Sequence, residues 1–185
     1  DRPGIFLVGE VIGAPLIKTS VNQGDFAVRY IVTNKPRFAA APYDVIIVGA
    51  GPAGLGAGLR AKESALRYLI LERTTIASSI RDYPRDKPVL AEPVGLPMYG
   101  DLPVKTQDKD SLIKAWEDVI QGAQLEIHER QEVTDVTKTN GLYTVTTAQG
   151  EDYAAAYVIL AIGARSNPRK LGVPGEDLPK VVYKL

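Results

Sequence analysis

The sequence predicts an α/β fold: a parallel β-sheet with helices on one face and an antiparallel β-meander on the other. Three observations predict it. The apolar run Val45 to Val48, at the end of a strand from Tyr43, enters a glycine-rich turn, and the turn opens onto an alanine- and leucine-rich run from Ala53 to about Ser64. A second apolar run follows at Tyr68 to Leu71, so strand alternates with helix. Glu132 to Lys138, Leu142 to Thr147 and Asp152 to Ala156 then alternate in polarity around a turn at Thr139-Asn140-Gly141.

Taken in order, Ile5-Phe6-Leu7-Val8 is a short apolar run ending at Gly9-Glu10 and reads as a buried strand. Pro15 to about Val32 reads as a helix, with apolar Leu16, Ile17, Val21, Ala27, Val28 and Ile31, and with Gly24 weakening it. Residues 36–42, within a stretch of prolines and alanines that begins near Thr33, read as a linker. The strand at Tyr43 and the helix at Ala53 come next. From Thr74 to Thr106 the chain is rich in prolines and reads as loop. Asp110-Ser111 is expected to cap a helix running to about Gln121, with Leu112, Ile113, Trp116 and Val119 on one side. Leu125 to Ile127 is a third short strand, and Tyr157 to Ala161 a last buried one after the meander.

Composition narrows the function. At 185 residues the chain can bury one sizeable core. Lys plus Arg and Asp plus Glu balance at 22 each, which argues against a nucleic-acid partner. The absence of cysteine excludes an iron–sulfur cluster, a disulfide framework or a cysteine redox centre held by this chain. With one histidine, no metal site is expected. The longest uncharged run, Val45 to Leu59, falls short of the ~20 residues of a membrane span and is interrupted by glycines and Pro52. There is no signal-peptide pattern, and a cytoplasmic location without membrane contact is expected. The chain begins Asp1-Arg2 and reads as a piece of something longer.

Gly49-Ala50-Gly51-Pro52-Ala53-Gly54 fits G-x-G-x-x-G. In such a turn Gly49 lets the chain reverse sharply, Gly51 leaves room for a pyrophosphate, and Gly54 lets the helix approach the strand. Free N–H groups at the helix start then hold the phosphates. Glu72 ends the second strand, about 20 residues on, where a carboxylate can accept from ribose hydroxyls. The bland alternative is a tight strand–helix turn with a solvated Glu72. An acidic residue there disfavours a 2′-phosphate, which leaves NAD and the adenosine half of FAD.

Four features resemble the FAD domain of the thioredoxin-reductase-like pyridine nucleotide-disulfide oxidoreductases. They are the glycine turn with Glu72; Val158-Ile159-Leu160-Ala161-Ile162-Gly163, similar to that family's strand ending in A-T-G; Leu171-Gly172-Val173-Pro174-Gly175-Glu176-Asp177, similar to its G-x-P-G-E segment; and Gly4 to Val11, similar to its late strand ending in Gly-Asp. From Tyr68 through Tyr83-Pro84 to Asp177 the chain is most similar to the bacillithiol disulfide reductase-like branch. The resemblance implies a Rossmann-type FAD-binding domain with cofactor contacts at Gly49, Gly51, Pro52, Ala53, Gly54, Glu72, Arg73, Val133, Ala161, Gly163, Gly9 and Glu10. Of these, Val133 falls where backbone groups contact adenine, Arg73 is either over the adenine or a surface charge, and Glu10 stands where the family has a ribityl-binding Asp. Lys18 and Ser79 fall near the implied flavin or are solvated. His128, among Glu126, Glu129 and Arg130, reads as a solvated residue.

The departures are specific. Ile162 replaces Thr, Ala53 stands where that branch carries a cysteine, and no C-x-x-C is present. A thiol–disulfide reaction through this chain is not supported, and no catalytic side chain is assigned. The family's second glycine motif, for NAD(P)H, would begin after Leu185. The counterpart of the family's last strand comes first here. Residues 1–35 therefore read as the end of an FAD domain and residues 43–185 as the start of one. The arrangement is either a tandem flavoprotein or a single domain completed by its own leading segment. That segment is expected to dock as a parallel strand beside Tyr157 to Ala161, within the chain or in a strand-swapped dimer. The function implied is the FAD-binding module of a flavin-dependent NAD(P)H oxidoreductase, the isolated piece being inactive. The alternatives are a non-catalytic nucleotide-binding or redox-sensing module and an NAD-only domain.

Overall fold

The computed structural model describes residues 3–34, 41–84, 94–102, 109–164 and 170–182. Its centre is a sheet built on β2 (Tyr43–Val48), whose buried residues alternate between two apolar clusters. Val45 and Ile47 face the helices, whereas Ile46 and Val48 face the meander. A strand buried on both faces reads as a continuous apolar run, which is why Val45 to Val48 shows no alternation; the buried Asp44 of the same strand is paired with the Arg67 guanidinium. β3 (Tyr68–Leu71) lies parallel on one side of β2 and β9 (Asp152–Leu160) parallel on the other. β6 (Ile127–His128) extends the sheet beyond β3.

The meander is β7 (Val133–Thr139), β8 (Leu142–Thr147) and the first half of β9. Asn140 and Gly141 both have positive φ, +52° and +84°, as a two-residue turn matched to strand twist requires. The two expected strands, Asp152 to Ala156 and Tyr157 to Ala161, are one element. β9 pairs antiparallel with β8 through Ala155 and parallel with β2 through Leu160. Its polar-to-apolar change marks where it leaves the meander and enters the two-sided core.

α2 (Pro52–Glu63) follows the glycine turn, and α4 (Lys109–Ala123) buries Leu112, Ile113, Trp116 and Val119 on the same face. Burying such side chains contributes roughly 1.5–3 kcal/mol each. α4 starts at Lys109, so Asp110 lies inside its first turn and not at the cap. A carboxylate there still complements the helix dipole. The proline-rich stretch also contains more structure than expected: a short helix α3 (Ser78–Arg81) and a hairpin of β4 (Val94–Leu96) with β5 (Gly100–Leu102). Neither has enough residues to register as a period. Most of the linker, residues 36–40, lies outside the described residues.

The leading segment joins this sheet. β1 (Ile5–Leu7) runs parallel to β9, with Ile5 opposite Val158 and Leu7 opposite Leu160. The Tyr143 hydroxyl and the Lys138 ammonium both donate to the Pro3 carbonyl, at 2.6 and 3.2 Å, and tie the start of β1 to the meander. α1 (Ile17–Asn34) then lies across α2. Gly24, a weak helix residue by propensity, is what allows this: a Cβ there would overlap the carbonyl of Ala53 and come within 2.8 Å of the Ala57 nitrogen. Gly56 of α2 returns the contact, since its Cβ would lie 2.5 Å from the Val21 carbonyl. Among the described residues no helix is long and apolar enough to cross a membrane.

Candidate functional site

Parallel pairing sets β3, β2, β9 and β1 side by side in that order, so their carboxyl ends form one rim. In open α/β sheets that rim is where ligands bind. The glycine turn leaves β2 at its centre. Gly49 has φ +105°, and its N–H donates to the Leu71 carbonyl at 2.8 Å. A Cβ at Gly49 would meet the Ala161 carbonyl at 2.5 Å, so this position is glycine for both conformation and space. Gly54 is glycine for space, because its Cβ would overlap the Gly49 carbonyl. Gly51 is different: a Cβ there would meet nothing within 4 Å. The turn is compressed against protein at both ends and open in the middle.

α2 begins in that opening. Pro52 is its first residue, which costs no hydrogen bond because a first-turn N–H has no helical acceptor. Gly51 supplies no side-chain cap, so the first-turn N–H groups lack a side-chain acceptor. Uncapped donors at the start of a twelve-residue helix favour an anion. An open backbone cradle beside such donors fits the pyrophosphate of a dinucleotide.

Glu72 stands just past β3 and is 6% exposed, so it is not a solvated surface charge. One carboxylate oxygen accepts the Ala50 N–H at 2.8 Å. The other accepts the N–H and hydroxyl of Thr74 at 2.9 and 3.1 Å. Ala77 closes the circuit by donating its N–H to the Ala50 carbonyl at 3.0 Å. An ionised carboxylate has about four acceptor sites, so three donors leave one for a ribose hydroxyl. Glu72 thus holds the glycine turn in shape and keeps acceptor capacity at the rim.

The other expected residues fall around this centre. Ala161 is buried, and its N–H donates to the Val48 carbonyl at 2.8 Å; Gly163 follows with φ +65° and open space at its Cβ position. Val133 opens β7 opposite Thr147, two residues after Gln131, whose N–H donates to the Glu72 carbonyl at 2.8 Å. Arg73 is exposed and lies 4.0 Å from Glu132. Gly9 and Glu10 open a 3-10 turn, Gly9–Ile12, at the end of β1. A Cβ on Gly9 would lie 2.9 Å from the Cβ of Ala53, which brings this turn against the start of α2. Ser79 sits in α3 and Lys18 in the first turn of α1, each half-buried. His128 is exposed, its ring edge-on to Tyr153. Among the described residues no group of acidic, histidine or cysteine side chains could hold a metal ion.

Two residues of this site were not singled out from the sequence. Thr74 braces Glu72, and a hydroxyl two residues past a strand-ending acid was its only signal. Gln23 accepts the Gly9 N–H at 2.7 Å from α1, fourteen residues away, and no local pattern announces that contact.

Comparison with known proteins agrees with this geometry. Residues 46–185 match the family described as pyridine nucleotide-disulphide oxidoreductase. Ferredoxin–NADP reductase from Ignicoccus hospitalis is 30% identical over 140 residues, covering 76% of this chain and 43% of that protein. Thioredoxin reductase from Treponema pallidum is 36% identical over 141 residues, covering 73% of this chain and 39% of that protein. The solved structure of bacillithiol disulfide reductase from Staphylococcus aureus superposes with a TM-score of 0.67 at 26% identity, covering 74% of this chain and 43% of that one. The chain thus spans less than half the length of the relatives it matches. With a matched region covering most of its length and this cradle at its centre, the chain belongs to the pyridine nucleotide-disulphide oxidoreductases, a family of FAD-dependent flavoproteins.

Proposed function

We propose that this chain is the FAD-binding module of a flavin-dependent NAD(P)H oxidoreductase. The observation that carries the proposal is the pairing of an open cradle at Gly51 with the buried carboxylate of Glu72 behind it. The Gly49–Gly54 turn and the start of α2 would hold the pyrophosphate, and Glu72 the adenosine ribose. Val133 and Arg73 would lie on the adenine side. Ala161, Gly163, Gly9 and Glu10, on the other side of the glycine turn, would line the flavin half. FAD, when bound, would supply the two-electron chemistry between NAD(P)H and an acceptor. This chain's own residues bind and orient it.

Residues 3–34 are read here as part of the same module, a reading supported by the pairing of β1 with β9 in one chain. NAD(P)H would bind to a second domain beyond this one. The lack of cysteine favours an acceptor other than a disulfide of this chain. We place the protein in the cytoplasm, with a nucleotide as its small-molecule partner and a homodimer as a compatible assembly.

Flavin retention tests the reading. The purified chain should take up one equivalent of FAD and show flavin absorbance. Gly51→Val should fold, because a Cβ there meets no protein atom within 4 Å, yet lose FAD. A Gly51→Val protein that keeps FAD would refute the cradle. A chain that binds NAD and not FAD would support the NAD-only alternative.

A further inference from the structure

The strand order carries a second consequence, which rests on the FAD reading. Glu72 lies at the end of β3, on one side of the glycine turn, whereas β1 lies two strands away on the other. A dinucleotide with its ribose at Glu72 and its pyrophosphate at Gly51 must run its second half toward the turn after β1. That turn closes on itself through the Gly13 N–H, which donates to the Glu10 carbonyl at 2.9 Å, but this bond does not seat it against the rest of the fold. Gly9 has φ +82° and Gly13 φ +84°, so the chain there adopts conformations that other residues resist.

What anchors it against α2 comes from α1. The Gln23 side-chain carbonyl accepts the buried Gly9 N–H at 2.7 Å. Ser20, one turn earlier on the same helix, donates its hydroxyl to the Ala14 carbonyl at 2.9 Å. Gly24 lets α1 seat directly on the Ala53 carbonyl, and Gly9 in turn touches the Ala53 side chain. Gln23 therefore sits between two backbone-close contacts, and both end on Ala53, the second residue of α2.

We propose that Gln23 is a positioning residue of the cofactor site. Its side-chain carbonyl fixes the Gly9–Glu10 turn against the first turn of α2, and so shapes the wall that meets the flavin half of FAD. The adenosine half, held by Glu72 across the sheet, does not depend on it.

The test compares FAD with ADP, which carries only the adenosine and pyrophosphate groups. Dissociation constants are measured on the full 185-residue chain by equilibrium dialysis, with melting temperatures of the ligand-free proteins alongside. Gln23→Met removes the acceptor at nearly constant volume. It should weaken FAD roughly ten-fold, in line with one lost part-buried hydrogen bond, and leave ADP unchanged. Gln23→Glu keeps an acceptor oxygen and should restore FAD affinity. Should Gln23→Met fail to fold, Gln23→Asn, one methylene too short, replaces it in the same comparison. Equal losses for FAD and ADP would make Gln23 a structural brace of α2 only, and an unchanged FAD constant would remove it from the site; either overturns the inference while leaving the FAD reading standing. Wild-type protein that binds ADP but not FAD would overturn the FAD reading itself, and this inference with it.

Discussion

Two glycine turns face each other across the rim. One follows β2 and runs from Gly49 to Gly54; the other follows β1 and starts at Gly9. The first is held mainly by its immediate chain neighbours and by a strand twenty-odd residues on, with the Ala161 carbonyl against Gly49 as a distant contact. Gly54 fits under the Gly49 carbonyl, and Glu72 grips Ala50. The second closes on itself through Gly13 and is seated by remote groups. Gln23 reaches it from a helix, and the Tyr143 hydroxyl and Lys138 ammonium clamp Pro3, on the far side of β1, from more than 130 residues away. The difference teaches why the first turn can be read from its own spacing, whereas the second is recognised only by resemblance. A backbone cradle needs glycines at a fixed spacing, whereas the turn after β1 needs Gly9 and Gly13 at positive φ and takes its place from contacts elsewhere in the chain.

Substitutions can break this contrast, starting with the largest effect. Gly24→Val would push a side chain into the Ala53 carbonyl and the Ala57 nitrogen, with backbone on every side. Overpacking of this kind costs roughly 1–3 kcal/mol or more, and the damage should reach both turns, because Ala53 touches both. Thermal denaturation and FAD titration should fall together. A variant that loses FAD at full stability would show that α1 is not part of the fold's core.

Glu72→Ala sharpens the contrast from the other side. It strands the buried Ala50 N–H, at roughly 1–3 kcal/mol for a buried donor left unpaired, while the N–H of exposed Thr74 is left to water. FAD affinity should drop ~10- to 150-fold with the loss of a charge-assisted hydrogen bond. Calorimetry on the variant separates the two effects: lower stability with unchanged FAD affinity would confine Glu72 to bracing the turn.

Tyr143→Phe is milder. It removes one of the two hydrogen bonds to Pro3 while keeping the ring that packs under Gly4. A loss of about 1 kcal/mol is expected by chemical denaturation, with the glycine turn unaffected and ADP binding intact.

The smallest effect is on the sheet beneath both turns. Burial raises the phenols of Tyr43, Tyr68 and Tyr157, and burial followed by the Glu151 carboxylate pushes Tyr153 up to about 12. A phenol that holds its proton more tightly when folded stabilises the fold fully below its unfolded value of 10.0 and loses that contribution as pH rises toward 12. Stability should decline over that window, and Tyr153→Phe should flatten part of the decline. An identical pH profile in the variant would place the decline elsewhere.

By itself the sequence determined the parts that depend on short spacing. β2, the glycine turn, α2, β3 and Glu72 were legible because sheet burial, backbone clearance and the reach from one strand end to the next are all local or nearly so. The meander was legible from its alternation and its Asn-Gly turn. Only the tertiary structure decided that Asp152 to Leu160 is one strand, since the change of partner halfway along leaves the same mark as a strand boundary. It alone decided that Gly24, unfavourable in an isolated helix, is required where α1 meets α2. It alone placed Gln23, whose acceptor matters only once two segments fourteen residues apart are folded together. Interactions of that kind depend on where backbones come to rest in space, and no periodicity in the chain records it.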